Sequence, residues 1–220
     1  MPVALKPALQ PRKTPIQARS AASVEAILQA TIQVLLAVGK ERLTTTRVAA
    51  RAGVSVGTLY QYFPNKSALL QGCLKRHMDE IGHAIEQACQ QHKHEGLQEM
   101  ATAIISAYLN AKMRNVKVSA ALYAVSSDVD GAAMSKAASD RARRAVANLF
   151  ATAKEGLTKD PELVATIVLA ALNGIARRLL EAKSPERQIE PLREELTVLI
   201  QAYLDRRIAS PRSSARFTAV

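Results

Sequence analysis

The chain has 220 residues and a formal net charge of +11, and with only 4% aromatics and no Trp its core must be built mainly from Ala, Leu, Val and Ile. The charge is uneven: residues 1–66 hold nine Lys or Arg against two acids, an excess that suits a polyanion and predicts salt-sensitive binding. Cys73 and Cys89 fall in one helical pattern, roughly 24 Å apart by helical rise, which excludes a disulfide between them.

Residues 1–13 carry three prolines with Lys6, Arg12 and Lys13 and no apolar period, which predicts a flexible basic arm. A loose leader is favoured over an arm that reaches a minor groove. Thr14-Pro15 opens a helix whose stripe of Val24, Ile27, Leu28, Thr31, Val34, Leu35 and Val38 ends at Gly39.

The stretch Thr44 to Lys66 reads TTTRVAARAGVSVGTLYQYFPNK. A short helix is expected with Val48, Ala49 and Ala52 on one face and Thr45 as its cap. Gly53 can take the left-handed conformation that ends it, so the chain turns through Gly53-Val54-Ser55. Ser55 caps a second helix in which Val56, Leu59, Tyr60 and Phe63 form a buried stripe. Its other face, Gly57, Thr58, Gln61 and Tyr62, carries hydroxyl and amide groups suited to base edges and phosphates. Pro64 stops that helix and Asn65 caps the next. Lys66 falls in a first turn, where a cation opposes the helix dipole and so points to an anion such as a DNA phosphate.

From the Gly-Val-Ser turn, the Thr-Leu-Tyr-x-Tyr-Phe helix and the Asn-Lys that follows, the chain resembles the TetR family of bacterial transcriptional regulators over roughly residues 15 to 75. The resemblance implies an all-α protein of about nine helices. It would have a three-helix helix-turn-helix DNA-binding domain and a C-terminal helical domain for ligand binding and dimerisation. The expected division is a basic arm over 1–13, the DNA-binding domain over 14–65, the effector and dimerisation domain over 66–208 and a flexible tail over 209–220. The implied function is a homodimeric repressor on a palindromic double-stranded operator, released by a small-molecule effector. Thr45, Thr46 and Arg47 would approach the backbone, while Gly57, Thr58, Gln61 and Tyr62 face the major groove. Tyr60 and Lys66 would hold flanking phosphates, with Ser55 positioning the helix. Gln61 is the candidate base reader, because an amide can pair twice with adenine.

From Lys66 a long amphipathic pattern runs to about His92, joining the head to the rest. Leu97 to Arg114 and Val116 to Ser127 read as helices, Asp128 to Gly131 as a turn, and a further helix extends to about Leu157. Asp160-Pro161 starts an apolar helix to about Ala182, and Ile189 to Ile208 is the last. Both carry apolar surface too wide for one side. A four-helix dimer interface is implied, with Ile167, Ala171, Gly174, Ile175, Leu196, Ile200 and Tyr203 as candidates, against the alternative that both faces are internal core. The effector-pocket candidates are Met100, Ile104, Tyr108, Met113, Tyr123, Phe150 and Asn173; this Met and Tyr content suits an adaptable apolar cavity and equally an ordinary core.

Cys73 with His77, and Cys89 with His92, each offer only two ligands and lie several turns apart, so no metal site and no cofactor are expected. No phosphate loop, nucleophile elbow or zinc-protease motif is present, so no catalytic residues are assigned and an enzyme is the lowest alternative. A constitutive or architectural DNA-binding protein without an effector is the stronger one. With no signal-type start and no run of roughly 18 uninterrupted apolar residues, no membrane partner is expected and the cytoplasm is the expected location.

Overall fold

The structure, a computed structural model, describes residues 14–129, 131–182 and 185–209. The basic arm and the tail beyond Ala209 lie outside the described residues. Among those described are nine α-helices: α1 (Thr14–Arg42), α2 (Thr45–Ala52), α3 (Val56–Tyr62), α4 (Lys66–Gln91), α5 (Leu97–Met113), α6 (Val116–Val125), α7 (Gly131–Phe150), α8 (Pro161–Leu180) and α9 (Ile189–Asp205). The fold class is therefore all-α, and the chain divides into two compact units between Leu69 and Leu70, within α4.

In the first unit α1 packs on α2, and α2 on α3. Ile27, Leu28, Thr31, Val34 and Leu35 of α1 are buried with Leu43, Val48, Ala49 and Leu59. Thr31 is admitted to this core because its hydroxyl donates to the Ile27 carbonyl at 2.8 Å. Gly39, at φ 76° and ψ 170°, kinks α1 one turn before its end.

The second unit is built round α5, which buries Leu97, Met100, Ala101, Ile104, Ile105, Tyr108, Leu109 and Met113 against α6, α7, α8 and α9. A helix apolar on nearly every side can only be central. Its start is held by two carboxylates: Glu99 accepts the Gly96 N–H at 2.7 Å and Glu155 the Leu97 N–H at 3.0 Å, both favourable at a helix N-terminus. α8 starts as expected, with Asp160 accepting the Glu162 N–H and Pro161 in the first turn.

The end of α7 differs from expectation. It stops at Phe150, not near Leu157, because Thr152 turns its hydroxyl onto the Leu149 carbonyl and the Lys154 N–H leaves for the Glu95 carbonyl. The freed strand-like segment then clasps the end of α9: Thr158 N–H donates to Arg207 O at 2.7 Å and Ala209 N–H to Gly156 O at 3.2 Å. Ala209, expected to open a loose tail, is thus tied down.

By length and composition alone, Ser20–Arg42 and Pro161–Leu180 could each cross a membrane. Both instead bury one face inside their own unit, α8 through Val164, Val168, Leu172 and Leu179.

Candidate nucleic-acid interface and ligand cavity

The helix-turn-helix is fastened by its own local chemistry. Thr44, not Thr45, caps α2: its hydroxyl accepts the Arg47 N–H at 3.3 Å. Three consecutive threonines make the register ambiguous, and the extended backbone of Thr44 resolves it. Thr45 is the first helical residue, and its hydroxyl instead meets the Tyr60 hydroxyl at 3.1 Å, bracing α3 against α2. Gly53 adopts φ 68°, with its N–H on Ala50 O and the Val54 N–H on Ala49 O, the paired pattern of a Schellman stop. Ser55 then accepts the Thr58 N–H at 3.0 Å and shares a proton with the Thr58 hydroxyl at 2.9 Å.

On α3 only Leu59 is fully buried. The expected four-residue stripe is corrected: Val56 and Tyr60 are 38% and 48% exposed, because a seven-residue helix touches its neighbours over barely one turn. The exposed surface therefore includes Val56, Gly57, Tyr60 and Gln61, with Thr58 and Tyr62 half-buried. No acid occurs between Thr44 and Lys66. Among the candidate contacts, Thr46, Gln61 and Tyr62 carry polar side chains with no hydrogen bond inside the described residues. Arg47 uses one of its five N–H groups on the Arg42 carbonyl at 3.0 Å.

Lys66 is placed for a reason that its position in α4 concealed. Its ammonium donates to the Lys40 carbonyl, just past the kink that ends the regular part of α1, so the cation that opposes one dipole serves another. Asn65 caps α4 as expected, accepting the Ala68 N–H at 2.8 Å.

The second unit contains a cavity of about 580 Å³ between α4, α5, α6, α7 and α8. Of the seven expected lining residues, Tyr108, Tyr123 and Asn173 face it. Met100, Ile104, Met113 and Phe150 do not: they are packed into the α5-centred core, where their size fills space that a cavity would need. Tyr108 donates to Asn173 Oδ1 at 2.7 Å, and Asn173 donates on to the Leu169 carbonyl at 2.9 Å. Burial pushes the Tyr108 phenol far above its ordinary value, so it stays neutral.

The polar groups that sequence reasoning missed include His77, Lys112, Ser119, Ser135 and Ser139. Lys112 follows Tyr108 by four residues on the apolar face of α5, a spacing that was visible in the sequence. Ser119 donates its single proton to the Lys112 carbonyl at 2.6 Å, so at 3.2 Å it must accept from His77 Nε2–H. That places a proton on His77 Nε2. Burial, then the charges of Lys112 and Arg76, lower its pKa from 6.5 to about 4.

Cys73 and Cys89 are both buried, and among the described residues neither takes part in a disulfide. Burial raises the Cys89 thiol to about 11, with Glu86 adding to the shift, which makes it unreactive. His92 is bound to Glu95 at 2.7 Å, and among the described residues no three His, Cys, Asp or Glu side chains gather as a metal site would require.

The dimer candidates divide by face. On α8, Ile167 and Gly174 point outward and Ala171 and Ile175 are half-buried. On α9, Leu196 and Ile200 are corrected: each is 2% exposed and packs into its own core, with Tyr203 half-buried beneath the Arg207 guanidinium at 5.1 Å. The outward apolar residues are instead Val198 and Leu199, 61% and 59% exposed, and on α8 Leu163 with Ile167. The stripe of α9 is wide enough that its two faces could not be told apart without knowing which one meets α5.

Comparison with known proteins gives the same picture at both ends of the chain. Residues 27–73 match the family described as bacterial regulatory proteins, tetR family, and residues 96–204 match the tetracyclin repressor-like C-terminal domain. Over 58 residues the chain is 41% identical to the nucleoid occlusion factor SlmA of Photobacterium profundum, covering 26% of this chain and 30% of that protein. Over 55 residues it is 46% identical to the HTH-type transcriptional repressor KstR of Mycolicibacterium smegmatis, covering 25% and 27%. These matches span less than a third of either relative. A crystal structure of a TetR-family protein from Mesorhizobium loti shares the fold, with a TM-score of 0.71 at 21% identity over 87% of this chain and 99% of that one. With the DNA-binding and C-terminal halves both matched, the chain belongs to the TetR family of bacterial transcriptional regulators.

Proposed function

We propose that this regulator is a homodimeric repressor that binds a palindromic operator and is released by a small molecule in the cavity of its second unit. The observation that carries the DNA-binding part is the exposed, acid-free face of α3, where the Gln61 amide is uncommitted and Gly57 is exposed and presents no side chain. Thr45, Thr46 and Arg47 approach the backbone, Gly57, Thr58, Gln61 and Tyr62 enter the major groove, and Ser55, Tyr60 and Lys66 position α3 against flanking phosphates. In this reading Lys66 acts partly through its bond to the Lys40 carbonyl, which orders the end of α1 beside the DNA-binding helices.

Dimerisation rests on the outward stripes of α8 and α9. Leu163, Ile167, Ala170 and Gly174 follow one another along one face, and the small Ala170 and Gly174 permit close approach of a second copy. Val198 and Leu199 extend the apolar surface on α9, replacing Leu196 and Ile200 in the interface. Two heads would engage half-sites roughly 34–36 Å apart or slightly more. The protein works in the cytoplasm, where its DNA is, and no catalytic role, cofactor or metal is proposed.

An effector acts by binding the DNA-incompetent form better; coupling of about 1–3 kcal/mol weakens operator binding roughly 5- to 150-fold. The cavity of about 580 Å³ favours this over a constitutive architectural role, which leaves such a space unused. The test is a fluorescence-anisotropy titration against the DNA immediately upstream of the protein's own gene, with unrelated DNA as control, at two salt concentrations. Tight selective binding by a dimer is the expected result. Equal, weak and salt-sensitive binding to both DNAs would overturn the operator reading.

A further inference from the structure

The cavity has a polar chamber and an apolar branch, and one cation stands where they join. A narrower space of about 90 Å³ continues from the chamber past Ile81, Ile85, Ala142 and Leu169. Lys112, Ser135 and Ser139 line both spaces. Ser135 and Ser139 are one turn apart on α7, so their hydroxyls lie side by side.

The electrostatics of that junction are unbalanced. Burial pulls the Lys112 pKa below its ordinary value, and no carboxylate among the described residues pairs with it to offset this. Of the other basic groups in the wall, His77 is neutral, with its Nε2–H given to Ser119, and Arg177 faces Glu181 at 3.9 Å. No described residue lining either space is an acid. The Ser135 and Ser139 hydroxyls have no partner among the described residues. The Tyr108 proton is already committed to Asn173, which leaves the phenol oxygen as an acceptor and not as a donor to an anion. A half-buried ammonium with two idle hydroxyls is the donor set of a carboxylate site, and the apolar branch beyond it is the place for a hydrocarbon or ring. A cationic ligand would meet like charge, and a neutral one would leave Lys112 uncompensated.

Resting on the effector role given to this cavity above, we propose that its ligand is an organic carboxylate with an apolar body, the acid group held by Lys112 with Ser135 and Ser139. The acid sits at the junction, the apolar body enters the branch between α4, α5, α7 and α8, and the chamber takes up any remaining polar part.

Two matched series test this by isothermal titration calorimetry on the full chain without DNA: octanoate, octan-1-ol and octylamine, and 3-phenylpropanoate with its alcohol and amine. In at least one series the carboxylate is expected to bind about tenfold or more tighter than its partners, as a charge-assisted bond requires. Lys112→Met should abolish that preference, and Lys112→Arg should keep it in part. Ser135→Ala with Ser139→Ala, on the exposed side of α7, should weaken the carboxylate a few-fold without changing the alcohol, and serves if Lys112→Met fails to fold by circular dichroism. Alcohol or amine binding as tightly as the carboxylate in both series, absence of carboxylate binding in both, or a preference that survives Lys112→Met in a folded protein would overturn the proposal. Release of operator DNA is scored separately with the same six compounds. Release by an alcohol or amine alone sinks the carboxylate and keeps the effector reading, while carboxylate binding that never alters DNA affinity does the reverse.

Discussion

The head and the ligand-cavity unit are put together in opposite ways. In the head, every group assigned to DNA lies within the 23 residues from Thr44 to Lys66, and the bonds that shape it are mostly three to five residues long: Thr44 to Arg47, Ala49 to Val54, Ser55 to Thr58. In the second unit, Lys112 comes from α5, Ser119 from α6, Ser135 from α7 and Asn173 from α8, and the Tyr108–Asn173 bond spans 65 residues. A site made of consecutive residues is specified by caps and turn chemistry. A site made of five helices is specified only by how they pack. Mutations in the first should therefore be sharp and local, whereas in the second they should act through shape and charge at a distance along the chain.

The largest expected effect tests whether the two parts are separable. Leu59→Ala removes the one fully buried side chain of α3 and should destabilise the head by about 3 kcal/mol, read from urea unfolding followed by circular dichroism, with operator binding lost. Carboxylate binding by the second unit should survive; its loss together with DNA binding would mean that the head is not an independent unit. Next in size, Val198→Glu with Leu199→Glu should leave each chain folded but break the dimer, weakening operator binding on the order of 100-fold because the two half-sites are no longer linked. Sedimentation gives the outcome directly, and a variant that stays dimeric places the interface elsewhere.

The pH effect of His77 belongs to the second unit. The unfolded chain binds a proton at His77 as the pH falls through 6.5, whereas the folded chain resists until about 4. The contribution of His77 is thus complete above pH 6.5 and lost as the pH falls towards 4. At about 1.4 kcal/mol per unit, this amounts to at most about 2 kcal/mol between pH 7 and pH 5. His77→Gln should flatten the stability curve by that amount over this interval; an unchanged slope would show that His77 is not held neutral. The smallest effects return to the head. Gln61→Ala should change sequence preference at one position by about 1–3 kcal/mol, whereas Lys66→Ala should weaken all sequences a few-fold and shallow the salt slope by about one unit. Altered preference with intact affinity in Lys66→Ala would reverse the two roles.

The local part of this protein was legible because its chemistry is local. Gly53 at φ 68°, Ser55 and Asn65 as caps, Pro161 in a first turn and the apolar periodicities of α1, α5 and α8 all act within a few residues of where they stand, so residue type and spacing are enough. The same shortness of range explains the error at Thr45, since among three threonines only backbone geometry decides which one caps. Wherever two helices must be compared, tertiary structure decided. Leu196 and Ile200 share an apolar helix with Val198 and Leu199, and only the packing of α9 on α5 sends the first pair inward. Met100 and Phe150 are as suited to a cavity as Tyr108 and Tyr123, but where the space falls depends on the summed volumes of five helices. Periodicity assigns a side chain to a face of its own helix; which neighbour that face meets, and whether the contact closes or leaves a gap beside Lys112, is settled only when the helices pack.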